Sequence, residues 1–136
     1  TPTIFRLGLD NSEKCRKFLW YIITKGRFRI IYILDGNKVI HYSFIIPRNF
    51  RFPFMSHEDL QIGPCYTDTG FRNCGVYSKV LKTVPCLYKD INRTLWIYTT
   101  QNNIISQHVI EKAGYKFCGY YMSKSILRIL KPITLT

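Results

Sequence analysis

No stretch constrains this chain more than residues 66–87. An apolar and aromatic approach, Ile62 to Thr67, meets a polar turn at Asp68, Thr69 and Gly70, and Arg72-Asn73-Cys74-Gly75-Val76 then opens a segment of helical period. A strand that passes through a glycine-bearing turn into a helix gathers the first N–H groups of that helix around one point. Arg72 to Tyr77 is therefore a candidate nest for an anion, and phosphate is its most useful occupant. An ordinary strand-to-helix link leaves the same trace, so the motif needs support from the rest of the chain.

Before it, Asn11 or Ser12 can cap a helix that carries Phe18, Leu19, Ile22 and Ile23 as an apolar stripe and stops at Gly26. Phe28 to Leu34 and Val39 to Ile46 flank Asp35-Gly36-Asn37-Lys38, the signature of an antiparallel hairpin. Arg48 to Ser56 interleaves two arginines with Phe50, Phe52 and Phe54, an aromatic-anchored connection. Asp59 to Thr67 is a strand made irregular by Gly63 and Pro64, which leaves backbone groups open to a ligand.

After the turn, Val76 to Leu87 is helical, with Val76, Val80, Leu81 and Val84 near one face and Pro85 marking where regular bonding stops. Arg93 to Thr99 holds a compact strand, expected to be buried on both faces. Asn102 and Asn103 stand where a cap belongs for a helix ending at Gly114. Tyr115 to Met122 forms a further strand, and Ser125 to Leu130 adds a strand or a short helix before the Pro132 tail. This succession predicts an α/β (α+β) fold, a mixed central sheet flanked by helices.

A chain of 136 residues makes one domain, residues 1–136, since roughly 70% of extended-chain surface can be buried at this size. The 20 Lys and Arg against 8 Asp and Glu, a formal charge of +12, favour phosphorylated or polyanionic partners or an anionic membrane surface. Lys14, Arg16, Lys17, Lys25, Arg27 and Arg29 are a local concentration. No helix-turn-helix, zinc finger or paired-aromatic RNA motif accompanies the charge, so no dedicated nucleic-acid partner is expected. Five widely spaced cysteines and three histidines in no zinc spacing suit a reduced, cytoplasmic compartment without a structural metal. No run of eighteen apolar residues is present, so no transmembrane segment is expected.

Two blocks carry a resemblance. The first is Arg72-Asn73-Cys74-Gly75-Val76-Tyr77, preceded by Thr69-Gly70-Phe71; the second runs from Asn103 through Glu111-Lys112-Ala113-Gly114-Tyr115. In that order, with a strand between them, they resemble the GCN5-related N-acetyltransferase superfamily over about residues 27–121. The N-terminus looks shortened, with room for one helix where the family has a strand and a helix pair. The resemblance implies acetyl-coenzyme A as acyl donor. Its pyrophosphate would lie on Arg72, Asn73, Cys74, Gly75, Val76 and Tyr77, and its pantetheine arm along the backbone of Cys65, Tyr66 and Thr67. Asn103 would contact that arm or cap the late helix, with Ser106 beside it.

Two residues depart from the family pattern. Tyr77 replaces a small residue, so its side chain must turn away from the pyrophosphate or the site is altered. Ile110 stands where many members place the tyrosine that protonates the departing thiolate; Tyr115 or a water could serve instead, the thiolate could leave unprotonated, or activity could be lost. For direct attack by an amine, the N–H near Tyr66 could polarise the carbonyl, while the Tyr66 side chain donates a hydrogen bond, shapes the acceptor pocket or joins the core. His41 is a candidate base with a pKa near 6.5. Glu58 and Asp59 precede the strand where members often carry an acidic base. A small-molecule amine is the expected acceptor. The loop from Phe71 to Tyr77 resembles that of bacterial acyltransferases tied to surface polysaccharide synthesis, which favours an amino sugar or its nucleotide conjugate. A catalytically reduced acyl-coenzyme A binding domain and a basic nucleic-acid-binding module are the alternatives, and a free sheet edge would permit a homodimer.

Overall fold

The computed structural model describes residues 11–89, 92–124 and 128–133. The side chains of residues 11–17 and 124 lie outside the description, and with them the basic groups of Lys14, Arg16 and Lys17 and the helix cap expected at Asn11 or Ser12. Much of the segment from Ser125 to Leu130 also lies outside the described residues, although its end is strand.

The elements are α1 (Asn11–Thr24), β1 (Arg29–Asp35), β2 (Lys38–Pro47), β3 (Leu60–Thr67), α2 (Val76–Leu87), β4 (Leu95–Ile97), α3 (Ile104–Lys112), β5 (Tyr121–Lys124) and β6 (Ile129–Pro132). One sheet has the order β1-β2-β3-β4, and β5 with β6 forms a second, two-stranded sheet. The hairpin and β3 are antiparallel, whereas β4 returns parallel to β3 after the α2 crossover. The mixed α/β architecture expected from the sequence is therefore the one observed.

Alternation divides the sheet into two apolar faces. On one, Trp20 of α1 packs with Phe28, Tyr42, Phe44, Ile46, Phe52 and Leu130. On the other, Val80, Leu81 and Val84 of α2 pack on Ile45 and Ile62, joined by Val109 and Ile110 of α3. The irregularity read from Gly63 and Pro64 is real. Ser43 faces Cys65 while Ile45 faces Ile62, so two residues of β3 oppose one of β2, and Gly63 sits at φ +125°.

Pro85 lies inside α2, whose bounds, Val76–Leu87, are those expected from the sequence. A proline at this position cannot bond back to the carbonyl four residues earlier. That carbonyl, of Leu81, accepts a hydrogen bond from the Tyr115 hydroxyl at 2.9 Å instead.

Three expectations are corrected. The stripe Phe18, Leu19 and Ile22 faces outward, each more than half exposed, and α1 docks through Trp20, Ile23 and Thr24. Periodicity located an apolar face but could not tell it from the neighbouring one, where a single tryptophan fills the space over Phe28 and Phe44. The strand at Leu95 to Ile97 is three residues long and only half-buried, because it is the edge of the four-stranded sheet. Residues 115–120 are not strand; pairing starts at Tyr121, with β6 as its partner.

Candidate active site

β3 and β4 pair only from Leu60 with Leu95 to Ile62 with Ile97. β4 ends at Ile97, and among the described residues no strand pairs with Gly63 to Thr67 on the β4 side. This open edge leads directly to the turn before α2. There Asn73 has φ +63° and Gly75 has φ +78°, and Gly75 stands at the N-cap with no side chain capping the helix. The first N–H groups of α2 thus remain available to an anion.

The turn is held from below. The Asp68 carboxylate accepts from the Gly70 N–H at 3.1 Å and pairs with Lys38 at 2.8 Å, while the Asp68 N–H donates to the Ile40 carbonyl. The hydrogen bond from Lys38 holds the Asp68 carboxyl below its usual range. Arg72 donates from Nε to the Thr67 carbonyl at 3.0 Å and lays its guanidinium over Tyr66. The sequence reading named Asp68 and Lys38 only as turn residues and did not foresee their pairing; a turn aspartate two residues before a glycine was the signal available.

Tyr77 does turn away from the nest. Its ring lies 6.1 Å from that of His41 and packs, like Cys65, against the cluster of Ile45, Ile62 and Val80. A polar ladder continues behind it. Ser43 donates to the Cys65 sulfur at 3.1 Å, His41 Nε2 is 2.7 Å from the Ser43 hydroxyl, and His41 Nδ1 is 2.7 Å from the Thr67 hydroxyl. Since the Ser43 proton is directed at sulfur, His41 donates from Nε2 and accepts at Nδ1. Ser43 is the member the sequence reading missed; register places it on the same face as His41, Cys65 and Thr67.

Burial pushes His41 down to about 4, the Cys65 thiol up to about 11, and Tyr77 up to about 12. His41 is fully buried with both ring nitrogens engaged, so an amine meets it only through Thr67. A depressed histidine makes acid destabilising: between pH 6.5 and about 4 the unfolded chain binds a proton that the folded protein refuses. Stability is full above that window and declines as pH falls through it, by on the order of 2 kcal/mol after allowance for solvent screening. Thermal melts from pH 7 to pH 4 should show this slope, and His41→Gln should flatten it; an equally steep slope in the variant would assign it elsewhere.

The remaining candidates lie apart. Asp59 is buried and its carboxylate accepts from the N–H groups of Ser56 and Thr94 and from Trp96 Nε1, each at 2.9 Å. Burial alone would raise this carboxyl, but those donors, led by Trp96, overcome it and hold the group low. Glu58 is exposed and its carbonyl accepts from Arg93. Both sit just before β3, roughly 25–30 Å of extended chain from Thr67. The Tyr115 hydroxyl is occupied by the Leu81 carbonyl. Tyr66 stacks on Tyr42 on the opposite face, 44% exposed. Asn103 caps α3 by accepting from the Ser106 N–H at 3.1 Å.

No family model matches the sequence, and no curated protein matches it. Solved structures do. A predicted acetyltransferase from Clostridium acetobutylicum, solved with acetyl-CoA, superposes with a TM-score of 0.61 at 14% identity, covering 88% of this chain and 78% of the other. An aminoglycoside antibiotic 6′-N-acetyltransferase from Acinetobacter haemolyticus gives 0.60 at 14% identity over 88% and 84%. The ribosomal-protein-alanine N-acetyltransferase from Brucella melitensis gives 0.63 at 15% identity over 90% and 74%. The chain has their fold. This GCN5-related acetyltransferase fold, expected from the two sequence blocks, places the open β3 edge and the α2 start of this protein side by side. Among the described residues no helix is long and apolar enough to cross a membrane.

Proposed function

We propose that the protein is a coenzyme A dependent N-acetyltransferase that transfers an acetyl group to the amine of a small molecule. One observation carries this reading: β3 is paired with β4 only as far as Ile62, which leaves an open strand edge running into an uncapped helix start. An amide-bearing arm suits the first and a pyrophosphate the second. The thioester of acetyl-coenzyme A supplies an activated acyl carbon to this site. Around it, the N–H groups at the end of β3 orient and polarise the carbonyl, and the Arg72 contact with Thr67 keeps that strand end fixed. No covalent relay is required. Cys65 is half-buried and stays a thiol at neutral pH, which makes it a poor nucleophile.

For the acceptor we favour an amino sugar or nucleotide sugar. The half-exposed Tyr66 ring beneath the Arg72 guanidinium offers a stacking surface and a positive charge on the face away from α2. The likeness to aminoglycoside acetyltransferases supports the same class. Calorimetric titration with acetyl-coenzyme A is the primary test, followed by thiol-release assays with amino sugars and with an N-terminal alanine peptide. Saturable binding and turnover with an amino sugar are expected. Ile110 favours a second reading, an acyl-coenzyme A binding domain without turnover; binding with no thiol release from any amine would select it. Tight, salt-sensitive binding to duplex DNA with no response to acetyl-coenzyme A would instead favour a basic nucleic-acid module.

A further inference from the structure

A helix on the surface of a protein in water buries one apolar stripe and keeps the opposite face polar. α1 breaks that rule. It docks on the sheet through Trp20, Ile23 and Thr24, yet its outer face carries Phe18 at 63%, Leu19 at 53%, Tyr21 at 52% and Ile22 at 58% exposure. Phe18 is three and four residues from Tyr21 and Ile22, and Leu19 three from Ile22, so the four side chains form one continuous patch. The charge around that patch has a single sign. Residues 14–34 contain six Lys or Arg and no Asp or Glu. Of these, Lys25, Arg27 and Arg29 are exposed just past the end of the helix, and Arg51 adds a guanidinium 5.6 Å from the Trp20 ring at its flank.

We propose that the outer face of α1 docks the protein on an anionic lipid surface, with the helix lying in the plane of the interface. The apolar side chains enter the boundary of the acyl chains while the cations meet the charged headgroups, the combination that holds an interfacial helix in place. Other occupants match only half of this surface. A nucleic acid meets the charge but offers no acyl phase to Phe18 and Ile22. A second copy of the chain meets the apolar patch, but a twofold interface through it sets the same cations against one another. Because Trp20 already fixes α1 to the sheet, docking carries no cost of forming the helix. α1 packs on the face of the sheet away from α2, so a docked protein keeps the start of α2 free. The proposal is independent of the acetyltransferase reading.

Sedimentation of the full chain with vesicles tests it. Phosphatidylcholine vesicles with about 30% phosphatidylserine should hold the protein at least tenfold more tightly than phosphatidylcholine alone, and added salt should erode the preference. Phe18→Ser combined with Ile22→Ser, which leaves the core untouched, should lower binding to the anionic vesicles at least about tenfold at unchanged Tm. Lys25→Gln combined with Arg29→Gln should lower it roughly tenfold by itself. Insertion is read separately: Phe18→Trp should gain fluorescence that lipids brominated on their acyl chains quench, beyond the signal of the wild-type protein. Wild-type protein that ignores anionic vesicles overturns the proposal. Binding that survives the paired serine substitutions, or a Phe18→Trp emission that brominated lipids leave unchanged, overturns it as well. A dimer in ultracentrifugation that those serines split, without vesicle binding, gives the face to a second copy instead. If the serine variant fails to fold, the Phe18→Trp quenching decides alone.

Discussion

Gly75→Val should abolish acetyl-coenzyme A binding, weakening it at least about 100-fold, while the protein still folds. The backbone at Gly75 lies at φ +78°, where a β-branched residue costs roughly 1–2 kcal/mol. A Cβ there meets no protein atom within 4 Å, so the substitution strains the turn without disturbing the core. Its two methyl groups would stand in the mouth of the nest, where a phosphate has to approach the first N–H groups of α2. Gly36 provides a matched control, since it also has positive φ, at +58°, and also opens onto free space. Gly36→Val should lower Tm by a similar few degrees and leave binding untouched. Equal binding by wild type and Gly75→Val, measured by calorimetry, would remove the pyrophosphate from this turn.

The largest loss of stability is expected from Asp59→Ala, on the order of 3–5 kcal/mol, because it orphans three N–H donors at once in a buried place. Those donors belong to Ser56, Thr94 and Trp96, so the carboxylate joins the loop before β3 to the start of β4 and sets their parallel register. Chemical denaturation should report the loss. Asp59→Asn should fall between wild type and Asp59→Ala, and Glu58→Gln, on the exposed side chain beside it, should change nothing. A fully stable Asp59→Ala variant would refute this role. Loss of acetyl transfer in Asp59→Asn, at a temperature where it remains folded, would return Asp59 to the reaction as a base.

The parts of the fold that rest on local chemistry were legible. The hairpin around Asp35 and Gly36, the helix starting at Val76, the cap at Asn103 and the irregular strand at Gly63 and Pro64 all follow from backbone preferences of a few adjacent residues, and all are found. The outward face of α1 was not legible. Phe18, Leu19 and Ile22 have the spacing of a core stripe, yet burial goes to the face whose one bulky residue, Trp20, fits the sheet. The strand expected from Tyr115 failed for a related reason: its tyrosine is drawn off to cover the carbonyl that Pro85 leaves without a donor.

The candidate site divides along the same line. The sequence by itself determined the turn from Arg72 to Tyr77, because a positive φ at Gly75 and an uncapped helix start are properties of consecutive residues. The resemblance also named Cys65, Thr67, Tyr77 and Ser106, and His41 stood as a candidate base. Only the tertiary structure decided what they do to one another. Cross-strand register places Ser43 between His41 and Cys65, and the α2 crossover brings the Tyr77 ring beside that of His41. A hydrogen bond between distant residues depends on the register and packing of whole elements, and no window of sequence contains that information.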